Sequence, residues 1–192
     1  MNKEAQTIRP SMRADAQRNR ERILETARIV VAEQGTEASL RGIARDAGVG
    51  LGTLYRHFPT RDDLLQEVLQ SSFDDLTERA GVLAATTSPL EALETWMDEL
   101  TASTATHQGL AASMVEKRMD PASSLYDACN ALRGSGADLL RRAQEAGEIR
   151  PDIEGADIMS FVAAVAWLCD TDSLEPEKRR RLLRLVMEGL KQ

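Results

Sequence analysis

The sequence contains few of the residue types that carry catalysis, metal binding or covalent cross-links. Its 192 residues include two cysteines, two histidines and seven aromatic residues. Cys129 and Cys169 stand 40 positions apart, which excludes a disulfide framework and the usual zinc spacings. The sequence also has no Glu-x-x-His pattern, phosphate-binding loop or Gly-x-Ser-x-Gly elbow, which argues against di-iron, nucleotide and serine-hydrolase sites. We therefore expect no metal, no cofactor and no enzymatic activity.

Long apolar runs are also missing. The longest is the 12-residue stretch 158–169, in which Ser160 is the only hydroxyl residue. A membrane-spanning helix needs about 20 apolar residues, so no membrane contact is predicted. The first 20 residues carry four arginines and no apolar segment, which is not the pattern of a secretory signal. These features predict a protein of the cytoplasm.

Charge is distributed unevenly along the chain. The whole sequence carries a net charge of -7, but residues 1–61 have 11 basic and 7 acidic residues, a net of +4. Residues 62–192 have 13 basic and 24 acidic residues, a net of -11. Such asymmetry indicates nucleic-acid contact at the basic end. An acidic body repels DNA, which leaves the N-terminal part as the docking surface.

Helix start and stop patterns recur along the chain, and no strand pattern is present. Ser88-Pro89-Leu90-Glu91 is a complete start pattern, with a capping serine, proline in the first turn and glutamate at the third position. The sequence predicts an all-α protein whose nine helices lie at 16–34, 39–47, 50–57, 60–85, 88–106, 109–119, 124–147, 154–170 and 176–191. Gly134 and Gly136 fall inside one of them, which indicates either a bend or break, or a soft segment beside a cavity.

Residues 39–58 have the pattern of a helix-turn-helix. Two short amphipathic helices flank Gly48, which permits the sharp turn between them. The apolar residues that can interlock the two helices are Ile43, Ala44, Val49 and Leu54. The exposed remainder of the second helix suits phosphate oxygens and base edges, and it consists of Thr53, Tyr55, Arg56 and His57.

A longer pattern surrounds this motif. It reads Ile23-Leu24-x-x-Ala27, Gly35, Leu40-Arg41-x-Ile43-Ala44-x-x-Ala47-Gly48-Val49, then Gly52-Thr53-Leu54-Tyr55-x-His57-Phe58-Pro59-x-Arg61-x-x-Leu64-Leu65. This pattern resembles the TetR family of transcriptional regulators. The resemblance implies a three-helix DNA-binding head, a larger helical body that binds a ligand and dimerises, and a homodimer that usually represses.

The resemblance also implies a division of the chain and a set of DNA contacts. We expect a disordered basic arm over 1–15, a DNA-binding domain over 16–62 and a regulatory domain over 63–192. The implied phosphate contacts are Tyr55 and His57, and the implied backbone or base contact is Thr53. Ser39 is implied to cap a helix whose N-terminus faces a phosphate, and Arg61 stands where many members carry a phosphate-binding lysine.

Two positions depart from the commonest family pattern. Gly50 and Leu51 stand where serine and lysine are frequent, so a capping hydroxyl and a charge are absent. Leu51 could instead contact a thymine methyl group. Arg41 lies close enough to the motif to be a further base or phosphate contact. The arginines of the arm, which could reach a phosphate or the minor groove, are Arg9, Arg13, Arg18 and Arg20.

The body is expected to hold an effector pocket between helices 66–85, 90–106 and 124–147. The candidate lining residues are Phe73, Trp96, Met97, Leu100, Met114, Met119, Tyr126 and Cys129. Plain core packing is the simpler explanation for each of them. Asp98, Glu99 or Glu116 could face a cationic ligand, although solvent-exposed positions explain them equally.

The stretch 158–169 also predicts a dimer interface, because a helix that is apolar on every side must be covered all round. The last helix can cover one side, and a two-fold partner would cover the remainder. The candidate interface residues are Phe161, Val162, Val165, Leu168, Leu182, Leu185 and Val186. Burial of Phe161 and Trp167 within one subunit is the alternative.

The leading hypothesis is a repressor that a small-molecule effector releases from a palindromic double-stranded operator. The alternative is a constitutive all-helical DNA-binding or interaction protein with no small-molecule effector.

Overall fold

The computed structural model describes residues 8–172 and 176–191, which contain ten α-helices. Apart from one β-bridge between Ile149 and Lys191, no strand pairing occurs in this part of the chain. The helices are α1 (Ile8–Gln34), α2 (Leu40–Asp46), α3 (Leu51–His57), α4 (Arg61–Thr86), α5 (Pro89–Thr106), α6 (Gln108–Ser113), α7 (Val115–Met119), α8 (Ser124–Glu145), α9 (Gly155–Asp172) and α10 (Pro176–Leu190). The chain divides into two compact units, Met1–Val68 and Leu69–Gln192.

The predicted all-α class is confirmed, with two corrections. α1 begins at Ile8, within the predicted arm and before the predicted helix start at residue 16; residues 1–7 of that arm lie outside the described residues. Pro10 sits in the first turn, where proline is tolerated, and mostly good helix formers follow it. The predicted helix 109–119 is two helices, because the backbone of Met114 (φ -105°, ψ 17°) departs from helical geometry.

The predicted helix starts are satisfied in different ways. The Thr60–Asp63 pair forms a reciprocal capping box at α4, in which the Asp63 carboxylate accepts from Thr60 N at 2.9 Å and the Thr60 hydroxyl accepts from Asp63 N at 3.1 Å. Ser88 precedes α5 but makes no side-chain capping hydrogen bond. Leu90 N in the first turn of α5 donates instead to Glu148 at 3.0 Å. A residue 58 positions away thus satisfies one of the free N–H groups of that turn.

The first unit is built on the inner face of α1, which packs against α2 and α3. Ile23, Ala27 and Val31 recur every four residues on this buried face. Gly48 has a φ of +65°, a left-handed conformation that glycine adopts without steric cost. The Arg22 guanidinium donates to the carbonyl oxygens of Ala47 and Gly48, which ties α1 to the turn between α2 and α3.

The second unit is centred on α5, which packs against α8, α9 and α10. Trp96 on α5 is fully buried, and its indole Nε1 donates to the carbonyl oxygen of Leu76 on α4 at 2.9 Å. On its other side the indole lies against Gly136 of α8, where an added Cβ would stand 2.6 Å from the ring. One side chain of α5 thus contacts both α4 and α8.

Gly134 and Gly136 lie inside α8 and do not break this helix. α8 runs through both of them without interruption, so the interpretation as a break is wrong. Gly136 is buried against Trp96, whereas Gly134 is exposed and its missing Cβ would meet nothing within 4 Å. Gly136 is required for the close approach of α5 and α8.

We predict that Gly136→Ala lowers the free energy of unfolding by about 1–3 kcal/mol, because the added methyl group overpacks the core at Trp96. Gly134→Ala is the matched control on the same helix. It should raise the free energy of unfolding by about 0.5–1 kcal/mol, since alanine is the better helix former and the space is open. Urea unfolding followed by circular dichroism measures both. Equal effects of the two substitutions would contradict the close-approach explanation.

Candidate DNA-binding surface and effector cavity

The helix-turn-helix is formed by α2 and α3. Ser39 caps α2 as predicted, because its Oγ accepts a hydrogen bond from Gly42 N at 3.2 Å. Gly50 precedes α3 and supplies no side-chain cap, as its missing hydroxyl requires. Leu51, the first residue of α3, is half-buried. The residues that bury the inner faces of the two helices are Ile43, Ala44 and Leu54.

The outer face of α3 carries the predicted DNA contacts. Tyr55 is 45% exposed, and Arg56 is exposed beside it. Thr53 and His57 are half-buried and, with Arg56, border a shallow depression beside Asp15 of α1. The Arg56 guanidinium donates to the Thr53 hydroxyl at 2.8 Å. These side chains thus present donors and acceptors along one short helix.

Several arginines of the first unit are held by internal partners. Arg61 is half-buried, and its Nη1 donates to the carbonyl oxygens of Thr36 at 2.6 Å and Ala38 at 3.0 Å. This contact ties the start of α4 to the connection between α1 and α2. The phosphate contact of Arg61 stays a prediction, beside a structural role that the sequence did not indicate.

Arg41 is exposed on α2.

Arg20 also has internal partners. Its guanidinium lies 5.4 Å from the centre of the buried Phe58 ring and donates to Glu67 at 2.6 Å. This cation–π contact and ion pair join α1 to the segment after α3. Arg18 pairs with Asp15. The side chains of Arg9 and Arg13 are outside the described part of the structure.

One further pair reduces the positive charge of α2. Arg45 donates to Asp46 at 2.8 Å on the exposed side of α2. The hydrogen bond to Asp46, together with its negative charge, raises the pKa of Arg45. The neighbouring carboxylate offsets the charge of this arginine locally.

The second unit contains a cavity of about 320 Å³, which is at the lower end of the range for small-molecule sites. Its walls come from α4, α5, α6, α7, α8 and α9. Phe73, Leu100 and Cys129 are among the lining residues. The remaining lining residues are Leu69, Ser103, Thr104, His107, Ala111, Arg118, Leu132, Arg133, Met159, Ser160, Val162 and Ala163.

An apolar surface lies on the outer side of α9 and α10. Trp167 is 57% exposed, Leu185 is 60% exposed and Leu168 is 37% exposed. Phe161, Leu182 and Val186 are half-buried and pack partly against the core. We call these six residues the α9–α10 surface.

Two family models match the chain. Residues 23–68 match the model described as bacterial regulatory proteins of the tetR family. Residues 88–192, more than half of the chain, match the C-terminal domain of SbtR-like transcriptional regulators. The chain belongs to the TetR family of transcriptional regulators. It is therefore a DNA-binding regulator and not an enzyme.

Solved structures agree with this assignment. A TetR regulator of Streptomyces coelicolor is 32% identical, with a TM-score of 0.75 over 90% of this chain and 98% of that chain. A TetR regulatory protein of Mycobacterium vanbaalenii is 33% identical, with a TM-score of 0.73 over 94% and 99% of the two chains. A helix-turn-helix-type regulator of Staphylococcus aureus is 47% identical over 64 residues. That match spans only 33% of this chain and 35% of that curated relative.

Five of the eight pocket candidates of this TetR-family chain do not line the cavity. Trp96 and Met97 are fully buried in the core, where Trp96 occupies the space left by a glycine on α8. Met114 is buried at the corner between α6 and α7, Met119 is 65% exposed at the end of α7, and Tyr126 is half-buried on α8. A methionine or aromatic residue therefore did not by itself mark the cavity.

The cavity also has a polar wall and a wall from α9 that the sequence did not predict. His107 follows α5 and lines the cavity, with its Nδ1 2.9 Å from the Ser103 carbonyl oxygen. Ser103 also shares a hydrogen bond with Ser72 at 2.8 Å. Leu100, Ser103, Thr104 and His107 recur at spacings of three and four, which is the pattern of one helix face. That spacing was the feature of the sequence from which this wall of the cavity could have been predicted.

The acidic candidates do not face the cavity. Asp98 pairs with Arg179 at 3.0 Å and with Arg180 at 3.4 Å. Glu99 pairs with Arg79 at 3.0 Å, and Glu116 is exposed. The suggestion of a cationic ligand has no support from these positions.

Two interface candidates belong to the core of the subunit. Val162 and Val165 are buried on the side of α9 that packs against the core, so the prediction that they form the dimer interface is wrong. Trp167 is exposed, so the alternative in which it is buried within one subunit is wrong as well.

Within the described residues, no helix is long and apolar enough to cross a membrane and no acidic, histidine or cysteine cluster suits a metal ion.

We predict that Arg61→Met lowers the free energy of unfolding by about 1–2 kcal/mol, because two carbonyl oxygens lose a charged donor. Arg41→Met is the matched control, since Arg41 is exposed on a neighbouring helix; its effect should stay within about 0.5 kcal/mol. Thermal and urea unfolding measure both variants. Equal stability of Arg61→Met and the unsubstituted protein would remove the structural role of Arg61.

Proposed function

We propose that this TetR-family regulator is a homodimeric repressor that binds a palindromic operator in the cytoplasm and is released by a small molecule in the cavity. The observation that carries the proposal is the helix-turn-helix of α2 and α3. Its inner faces are buried, and the outer face of α3 presents polar side chains together with a 45%-exposed tyrosine. A helix of this kind reads the major groove of DNA.

The proposed DNA contacts fall into two groups: those that position the helix on the duplex and those that read the base sequence. Tyr55 and His57 are proposed to bind phosphate oxygens, which set the orientation of the helix on the duplex. The N-terminus of α2, capped by Ser39, adds a partial positive charge that favours a phosphate. Leu51 and Thr53, in the first turn of α3, are proposed to face the bases, where leucine reads a thymine methyl group.

Dimerisation is proposed to use the α9–α10 surface. Three large apolar side chains, Trp167, Leu168 and Leu185, are exposed there on one chain. An exposed apolar patch of this kind is typical of an interaction site, and a second copy offers the same surface through a two-fold axis. Two recognition helices would then reach successive major grooves, about 34–36 Å apart.

The effector is proposed to act through α4. This single helix begins at Arg61, and it contributes Leu69 and Phe73 to the cavity. A ligand that shifts α4 changes the position of the residues at its N-terminal end. A coupling free energy of about 1–3 kcal/mol would lower operator affinity roughly 5- to 150-fold.

We expect Tyr55→Phe and His57→Ala each to weaken operator binding about 5- to 30-fold, because each removes one phosphate hydrogen bond. Fluorescence anisotropy with the DNA upstream of the protein's own gene, at one fixed salt concentration, measures the affinity. Tyr126→Phe, on α8 of the body, is the matched control and should bind like the unsubstituted protein. If both α3 variants kept full affinity while folded, α3 would not be the recognition helix.

We expect Leu185→Asp to convert the dimer to monomer and to abolish operator binding, because two like charges would be desolvated near the two-fold axis. Val82→Asp is the control: Val82 is 45% exposed on α4, outside the α9–α10 surface. Sedimentation velocity gives the oligomeric state. A folded Leu185→Asp variant that remained dimeric would place the interface elsewhere.

A further inference from the structure

We infer that the cavity binds an amphipathic carboxylate, a small molecule with one anionic head and an apolar body. The inference rests on the proposed role of the cavity as the effector site and adds the chemical class of the effector. It depends on three observations: an unsatisfied arginine nitrogen, the charge of the cavity wall, and the apolar character of the remaining wall.

The first observation is the state of Arg118. This residue of α7 lines the cavity, and its Nη1 donates to the carbonyl oxygen of Ala111 at 3.1 Å. Its Nε is buried and has no hydrogen-bond partner. Buried polar groups in proteins are nearly always hydrogen-bonded. Arg118 therefore has unused hydrogen-bonding capacity in the wall of the cavity.

The second observation is the charge of the wall. Arg133 of α8 also lines the cavity, and its guanidinium is 3.5 Å from the Asn130 side-chain oxygen. Among the described residues that line the cavity, none is aspartate or glutamate. The wall therefore carries two arginine charges that no lining carboxylate neutralises. Guanidinium groups bind carboxylates through paired, charge-assisted hydrogen bonds.

The third observation separates an amphipathic anion from a purely polar one. Most of the exposed area inside the cavity belongs to apolar atoms. The apolar lining residues include Leu69, Phe73, Leu100, Leu132, Met159 and Val162. Of these, Phe73 and Met159 are only partly buried. A small inorganic anion would leave these side chains without a partner, whereas a hydrocarbon chain or aromatic ring removes their surface from water. The volume of about 320 Å³ limits that body to a small one.

Isothermal titration calorimetry without DNA tests the class directly. The probes are the straight-chain carboxylates from butyrate to decanoate, and 3-phenylpropanoate. Each is compared with its own primary amide and with the primary ammonium of the same carbon skeleton. We expect at least one carboxylate to bind roughly tenfold to a hundredfold more tightly than its amide, and the ammonium compounds to bind most weakly. If no carboxylate bound more tightly than its amide, the inference would be wrong.

Variants test whether the arginines cause this preference. Arg118→Met should reduce the carboxylate preference over the amide about tenfold or more, and Arg133→Met should reduce it by a smaller factor because Arg133 is exposed to solvent screening. Arg141→Met is the matched control on α8, since Arg141 lies outside the cavity and pairs with Glu145. A preference unchanged by both cavity variants would overturn the inference.

A folding defect would not obscure the result. Arg118 also holds the corner between α6 and α7, so circular dichroism is recorded for each variant. If Arg118→Met does not fold, Arg118→Lys replaces it: lysine keeps the charge but lacks the planar guanidinium, and we expect it to lose most of the preference. If neither variant at position 118 folds, Arg133→Met decides, and an undiminished preference overturns the inference.

The test also separates this inference from the proposed repressor function. Operator binding is measured on the ligand-free protein, whereas the calorimetry contains no DNA. Normal operator binding without a carboxylate preference would overturn only the ligand class. A carboxylate preference in a protein that does not bind its operator would support the inferred ligand class and overturn the proposed repressor function.

Discussion

The contact between Trp96 and Gly136 sets the geometry of the second unit. The indole occupies space that any larger residue at position 136 would fill, and its N–H is satisfied by the Leu76 carbonyl oxygen. The spacing of α4, α5 and α8 thus depends on one side chain. The cavity begins one turn away on each of these helices: Phe73 precedes Leu76 by three residues, Leu100 follows Trp96 by four, and Leu132 precedes Gly136 by four. The packing around Trp96 and Gly136 is dense, which is the reason that the neighbouring turn of these three helices can remain open.

The local charge of a surface in this protein depends more on ion pairing than on the net charge of its segment. The first 61 residues carry a net of +4, but Arg20 is paired with Glu67 and Arg45 with Asp46. We therefore propose that DNA contact in this part of the chain depends on the polar face of α3 and on helix N-termini, and less on unpaired cations. The acidic body shows the converse, because Asp98 is neutralised by Arg179 while two arginines line the cavity without an acidic neighbour in its wall. An acidic region can in this way contain a basic binding site.

Local features were predictable because their causes are local. Helix starts depend on residues within one turn, as the capping box of Thr60 and Asp63 shows at the start of α4. The helix-turn-helix depends on short-range apolar spacing and on Gly48, and both are visible in the sequence. The resemblance to the TetR family added the predicted DNA contacts residue by residue. Where a distant residue took over a local role, as Glu148 does at the first turn of α5, the sequence could not show it.

The sequence by itself determined the helical class, the helix boundaries to within a few residues except at the start of α1 and at Met114, and the recognition motif. These follow from backbone propensity, capping and amphipathic spacing, which act over a few residues. Only the tertiary structure decided which apolar residues are core and which line the cavity, because that choice depends on the neighbouring helix. Val165 and Trp167 belong to the same apolar run of the sequence, yet one is 5% and the other 57% exposed. The direction in which each residue of α9 points, and the helices that pack against it, made that difference.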